Sequence, residues 1–126
     1  MNLNQVTLPA VDVAASVAFF EAMGFRLIVD AVPRYARFEC PTGDATFSLH
    51  QAAANTSSGV VVYFECEHLD EQVAQLAAKG VVFDQTPTDE PWLWREARLR
   101  DPAGNVICLF HAGTNRKNPP WRLPTR

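Results

Sequence analysis

The chain has 126 residues, of which 48% are apolar and 20% charged, the size and balance of one globular domain with a real core. A net charge of -3 gives no electrostatic reason to expect nucleic acid or an anionic membrane as partner. Cys40, Cys66 and Cys108 are too scattered for a disulfide framework and no pair has CxxC spacing, which points to a reducing compartment. The start, MNLNQVTLPAVD, lacks a basic region followed by a long apolar run, so no signal peptide is expected. No segment approaches the roughly 20 apolar residues of a membrane span. The expectation is a soluble cytoplasmic domain.

In chain order, LNQVTLPA (3–10) alternates loosely, as a short strand does. Asp12 is placed to cap a helix carrying Val13, Val17 and Phe20 at helical spacing, with Gly24 to stop it. FRLIV, ARFEC and TFSLH then read as three strands. GVVVYFEC (59–66) is β-branched and aromatic, hence a strand. Leu69, Val73 and Leu76 follow at helical spacing, with Asp70 and Glu71 in the first turn and Lys79 and Gly80 closing the helix. VVF, LWREARL and NVICLF read as the last three strands, and QTPTDEP as a loop. The tail GTNRKNPPWRLPTR, with Pro119, Pro120 and Pro124, reads as neither strand nor helix; Trp121 within it gains by packing.

The two halves echo each other. Val13 and Leu69, Val17 and Val73, Phe20 and Leu76, Gly24 and Gly80 each stand 56 residues apart, and the turns PTGD and PAGN precede the two last strands. Residues 1–54 and 59–112 are therefore two βαβββ modules, and 113–126 a tail. The extra residues of the second half are placed in QTPTDEP. The expected α+β fold joins two tandem modules into an open, cupped mixed sheet of about eight strands, helices on the convex face.

Three stretches, NQVTLPAVDVAASVAFFEAMGF, VVYFECEHLDEQVAQLAAKGV and WLWREARLRDPAGNVICLF, resemble the vicinal oxygen chelate superfamily of glyoxalase I, bleomycin-resistance proteins and extradiol dioxygenases. The DP-x-GN turn entering the final strand is the most specific of these marks, and the tail resembles that of a bacterial glyoxalase-like subgroup. The resemblance implies edge-to-edge pairing of modules in a homodimer, which also covers exposed sheet edges. It further implies metal ligands at one inward position on each of four strands, here Gln5, Ser48, Val61 and Cys108.

That set makes no convincing metal site. Open coordination of a divalent metal wants imidazole nitrogens and carboxylate oxygens, whereas valine cannot ligate and serine ligates poorly at neutral pH. His50, Glu65 and Cys108 offer a displaced alternative. Cys108 with His50 as base would be a nucleophile only with a lowered thiol pKa, and a small inert packing residue is the simpler reading. Cys40 and Cys66 read as packing residues, His68 as a solvent-facing helix start, and His111 as pointing away from the cup.

Strand alternation turns Gln5, Thr7, Thr46, Ser48 and His50 of the first half inward, and Val61, Tyr63, Glu65, Val106, Cys108 and Phe110 of the second. Trp92 and Trp94 offer a wall, and a tryptophan or Tyr63 stacks on a planar ligand. Arg95, Glu96 and Arg98 read as surface or cross-strand ion pairs, with Arg98 able to bind a ligand carboxylate if Ala97 and Leu99 face the helix. The expected function is binding of a small organic molecule in the cup, without a metal or other cofactor. The alternatives are a metal-dependent lyase, isomerase or dioxygenase with a rearranged site, and a dimeric interaction module with a collapsed cup.

Overall fold

The computed structural model describes residues 1–54 and 59–124. The chain divides into two compact units, Met1–Val60 with Arg100–Asn105, and Val61–Leu99 with Val106–Arg126. Each is built on one βαβββ module, giving an α+β fold. The first module runs β1 (Gln5–Ala10), α1 (Val13–Ala22), β2 (Arg26–Ala31), β3 (Tyr35–Glu39) and β4 (Thr46–Gln51). The second runs β5 (Val61–Glu65), α2 (Leu69–Ala78), β6 (Gln85–Asp89), β7 (Arg95–Arg100) and β8 (Val106–His111). The strand orders, β1-β4-β3-β2 and β5-β8-β7-β6, repeat. In both, the first strand lies parallel to the last and the middle hairpin is antiparallel. A parallel neighbour needs a crossover, and the helix and the hairpin supply it.

In the first unit Asp12 caps α1 by accepting the Ala15 N–H at 3.1 Å, and Gly24 leaves the helix at a φ of +99°. Val13, Val17 and Phe20 of α1 are buried, as are Leu8, Ala10, Ala36, Phe38, Phe47 and Leu49 of the sheet. Phe20 meets Phe47 edge-on at 4.9 Å and Phe38 stacks on Phe47 at 5.1 Å. Burying a phenylalanine stabilises by roughly 1.5–3 kcal/mol, so these three rings dominate the small core.

The DP-x-GN turn belongs to this unit. Asp101 is buried and its Oδ1 accepts the N–H groups of Ala103 at 3.0 Å and Asn105 at 2.8 Å, while Oδ2 accepts the Asn105 side-chain amide at 2.8 Å. That amide also donates to the carbonyl of Pro9 in β1, at 2.9 Å. Gly104 sits at φ +86°, where a glycine costs nothing.

In the second unit Leu69, Val73 and Leu76 of α2 are buried, together with Ala97, Leu99, Ile107 and Leu109 of the sheet. Here three expectations are corrected. VVF is not a strand; QTPTD is β6, paired with β7 across an irregularity between Gln85 and Thr88. An edge strand with a shifted register tolerates Pro87, which a central strand would not. The additional residues of this half therefore lie in the connection 79–84, against 23–25 in the first module, and in the turn 90–94, against 32–34. The tail is not devoid of helix either. Gly113–Arg116 forms one turn of 3-10 helix, because the Glu65 carboxylate accepts the N–H groups of Ala112 at 2.7 Å and Gly113 at 3.0 Å. Trp121 stays largely exposed, and the last two residues of the tail lie outside the described residues. The third correction is Glu96, read as part of a surface or cross-strand ion pair: it does pair with Arg98, at 3.1 Å, but along its own strand and only 1% exposed.

Candidate functional site

On the first sheet, alternation and register turn Gln5 and Thr7 of β1, Thr46, Ser48 and His50 of β4, and Tyr35 and Arg37 of β3 away from α1. Gln5 lies in register with Thr46, and Ser48 with both Thr7 and Arg37. These polar residues are wired together. Thr46 Oγ1 donates to Gln5 Oε1, Gln5 Nε2 donates to Ser48 Oγ at 2.8 Å, and Ser48 Oγ meets the Tyr35 hydroxyl at 2.6 Å. Arg37 Nε donates to that same hydroxyl at 2.9 Å. The bond to Ser48 and then Arg37 hold the Tyr35 phenol below the ordinary tyrosine range, against the upward push of burial. His50, in register with Tyr35, is exposed, and Thr7 is exposed beside Ser48.

The second sheet presents a different surface on the side away from α2. Ala97 and Leu99 are fully buried, so Glu96 and Arg98 occupy the opposite face. Trp94 stacks on Phe110 with ring centres 4.7 Å apart and planes 22° from parallel. Tyr63 meets both edge-on, at 5.8 and 5.5 Å. Cys108, Phe110, Ala112, Val61 and Trp94 pack as one cluster, from which Tyr63 emerges 42% exposed. Behind the aromatic residues Glu96 accepts from the Trp92 indole at 2.6 Å and from Arg98 Nη2 at 3.1 Å. Arg98 Nη2 also reaches the Tyr63 hydroxyl at 3.3 Å. A buried carboxylate is tolerated because its charge is paired and its oxygens are filled.

Cys108 lies beneath this group, fully buried. Burial, with the negative charge of Glu96 adding to it, pushes its thiol up to about 12. A thiol held that high is protonated at neutral pH, the opposite of what a nucleophile requires.

The four positions where the family's metal enzymes carry ligands fall as Gln5 with Ser48 on the first sheet and Val61 with Cys108 on the second. They do not fit a divalent metal: Gln5 Oε1 is taken by Thr46, Ser48 is tied into the chain to Tyr35, and Val61 has no donor atom, so Cys108 has no ligand of this set beside it on its own sheet. The displaced set fares no better. Glu65 spends its carboxylate on the start of the 3-10 turn and on Arg116, 3.7 Å away. Among the described residues, no three His, Cys, Asp or Glu side chains gather as a metal-holding group. His68 stands at the helix start without a side-chain cap bond, and His111 Nδ1 lies 3.0 Å from the Cys66 carbonyl.

The structure thus brings Gln5, Thr7 and Ser48 together on one sheet, and Val61, Tyr63, Trp94, Arg98, Cys108 and Phe110 together on the other, with Trp92 joined through Glu96. Glu65 is turned to the tail. Tyr35, Arg37 and Glu96 join these faces without being singled out by the sequence pattern. The alternation YARFE carries Tyr35 and Arg37 onto the face of Ser48, a signal present in the sequence; nothing in WREARLR distinguishes Glu96 from an exposed residue.

No curated protein matches this chain in sequence. Among solved structures, a glyoxalase/bleomycin resistance protein/dioxygenase from Nocardioides is 25% identical with a TM-score of 0.71, over 89% of this chain and 83% of that one. Lactoylglutathione lyase from Agrobacterium tumefaciens is 17% identical at 0.73, over 87% and 92%. A bleomycin-binding protein, solved with bleomycin, is 19% identical at 0.71, over 88% and 98%; these last two likenesses speak for the fold alone. Residues 2–109 match the model of a single family. The duplicated βαβββ unit, the DP-x-GN turn closed on its buried Asp101 and that match agree, and the chain belongs to the Glyoxalase/Bleomycin resistance protein/Dioxygenase superfamily.

Proposed function

We propose that this protein binds a small organic molecule, and does so without the metal that serves the family's lyases and dioxygenases. The observation that carries the reading is the Tyr63–Trp94–Phe110 cluster, flanked by the paired charges of Arg98 and Glu96. Stacked and edge-on aromatic rings, with Tyr63 exposed and Trp94 half-buried, offer a planar ligand both van der Waals area and a π-face, and Arg98 offers a charge-assisted hydrogen bond. Such a surface recognises by shape and stacking, which needs no metal. A relative in fold that was solved with bleomycin bound supports the same kind of use. On the first sheet Gln5, Thr7, Ser48 and His50 form a polar surface of their own. Val61, Trp92, Cys108 and Phe110 shape the second. Glu65, also expected among the ligand contacts, accepts the Ala112 and Gly113 N–H groups with one carboxylate oxygen.

The three cysteines are free thiols, which suits a reducing cytoplasm, and no described helix is long and apolar enough to cross a membrane. The assembly is read as a homodimer, because β1, β2, β5 and β6 are the outer strands of their own sheets and such edges are generally covered.

A thermal-shift panel of planar organic compounds tests the reading. Saturation at about a hundred times Kd stabilises the native state by about 2.7 kcal/mol, enough to raise Tm visibly. At least one compound is expected to do so, and Tyr63→Ala to weaken its effect. A panel in which no compound shifts Tm would count against binding, and a shift untouched by Tyr63→Ala would move the site elsewhere.

A further inference from the structure

The polar chain on the first sheet has a direction, and following its protons shows what is left over. Gln5 Nε2 donates to the Val6 carbonyl at 3.0 Å and to Ser48 Oγ at 2.8 Å, while Oε1 accepts from Thr46. The amide orientation is thereby set, and Ser48 Oγ must accept from Gln5. Ser48 is fully buried, so its own hydroxyl proton needs an acceptor. Among the described residues, the Tyr35 oxygen at 2.6 Å provides it. Arg37 Nε donates to the same oxygen at 2.9 Å. Both acceptor positions of the phenol are then filled, and the Tyr35 proton is left to point outward. The two Nη groups of Arg37, whose guanidinium carbon lies 5.5 Å from the Tyr35 ring centre, hydrogen-bond to no described residue. Two neighbouring side chains thus carry surplus donors and no surplus acceptor.

We propose that Tyr35 and Arg37 form an oxyanion-binding site, held by Gln5 and Ser48, for a carboxylate or phosphate group of a small organic molecule. The phenol O–H and the guanidinium fork meet separate oxygens of such a group, a pairing of charge-assisted donors with a planar or tetrahedral anion. The surroundings agree. His50 of β4 lies in register with Tyr35, Val29 and Ala31 of β2 flank Arg37 and Tyr35, and Glu39, further along β3, pairs with Arg26 at 3.7 Å. The Asp30 carboxylate takes the Val32 N–H. The small-molecule reading above supplies the biological ligand, and to that extent the site rests on it, but its chemistry uses β1, β3 and β4 alone.

The chain has two tyrosines, so in a Tyr63→Phe background the tyrosinate absorbance reports Tyr35 alone. That protein is titrated with alkali in sodium chloride, and at matched ionic strength in acetate or inorganic phosphate. Tyr35 is expected to ionise below an ordinary tyrosine, and Ser48→Ala and Arg37→Gln each to raise its titration. An anion bound beside it disfavours the phenolate, so acetate or phosphate should raise the titration further, saturably. Arg37→Gln should weaken that response about tenfold or more, as loss of a charged donor does. A response to acetate identifies a carboxylate ligand and one to phosphate a phosphate ester. Titration that neither anion moves relative to chloride overturns the proposal, as does an equal response in Arg37→Gln. Failure here leaves the thermal-shift result at Tyr63 standing, and the reverse also holds.

Discussion

Truncating Asp101 to alanine removes one side chain and strands three donors. The N–H groups of Ala103 and Asn105 and the Asn105 side-chain amide all point at its carboxylate, at 2.8–3.0 Å. Asp101 and Asn105 are 4% and 7% exposed, so water reaches the vacated donors poorly. A buried donor without a partner costs about 1–3 kcal/mol. Relaxation of the turn recovers part of the sum, and the expected loss is about 3–4 kcal/mol, a large share of the roughly 5–15 kcal/mol of a typical domain. The Asn105 amide also loses the fixed pose from which it holds the Pro9 carbonyl, so β1 is weakened with the turn. Asp101→Asn keeps one acceptor but faces the Asn105 amide with a second donor, and should fall in between. Gly104→Ala meets no atom within 4 Å yet must hold φ +86°, and should cost about 1–2 kcal/mol in backbone strain. Urea unfolding followed by the fluorescence of the three tryptophans gives all three values at an unchanged m-value. An Asp101→Ala loss below about 1 kcal/mol would refute the reasoning, and would mean that the backbone bond from Gly104 N–H to the Asp101 carbonyl suffices to form the turn.

Other consequences are as direct. Glu65→Gln weakens the charge-assisted bonds to Ala112 and Gly113, so their amide protons should exchange roughly tenfold faster; unchanged protection would show that the 3-10 turn stands without Glu65. Cys108, with its thiol pushed up to about 12, should resist iodoacetamide at pH 8 in the folded protein and react once urea unfolds it. Labelling of Cys108 at the rate of a free thiol would contradict its burial. Hydrogen bonding to Arg95 holds the Asp70 carboxyl below its usual 3.8. Here the unfolded chain binds the more protons, so this contribution is present above pH ~4 and is lost as pH falls through the lower folded value. Asp70→Asn should therefore flatten the acid side of the stability profile, and an unaltered acid limb would show the pair to be inconsequential.

Much of this was legible in the residues because it depends on local pattern. The spacing of Val13, Val17 and Phe20, repeated at Leu69, Val73 and Leu76, reflects a helix face that must be buried, and the DP-x-GN turn builds itself from neighbours in the chain. Alternation likewise placed Ser48 and Cys108 on the faces away from the helices. What was hidden depends on partners distant in sequence. β6 has a polar composition and a proline, and becomes a strand through its pairing with β7. The 3-10 turn after Ala112 forms because Glu65, far back in the chain, accepts its first N–H groups. Glu96 is buried because Trp92 and Arg98 converge on it, and no feature of WREARLR separates such a glutamate from a solvated one. The donor surplus of Tyr35 and Arg37 emerges only when the register of β3 against β4 sets Ser48 beside them.

Small-molecule binding without a metal is decided by elemental analysis of protein purified without chelator, joined to the thermal-shift response before and after treatment with chelator. No stoichiometric Ni, Zn, Mn or Fe is expected, with a ligand-induced rise in Tm that chelation leaves intact. Stoichiometric metal, removed by chelator together with the ligand response, would contradict it.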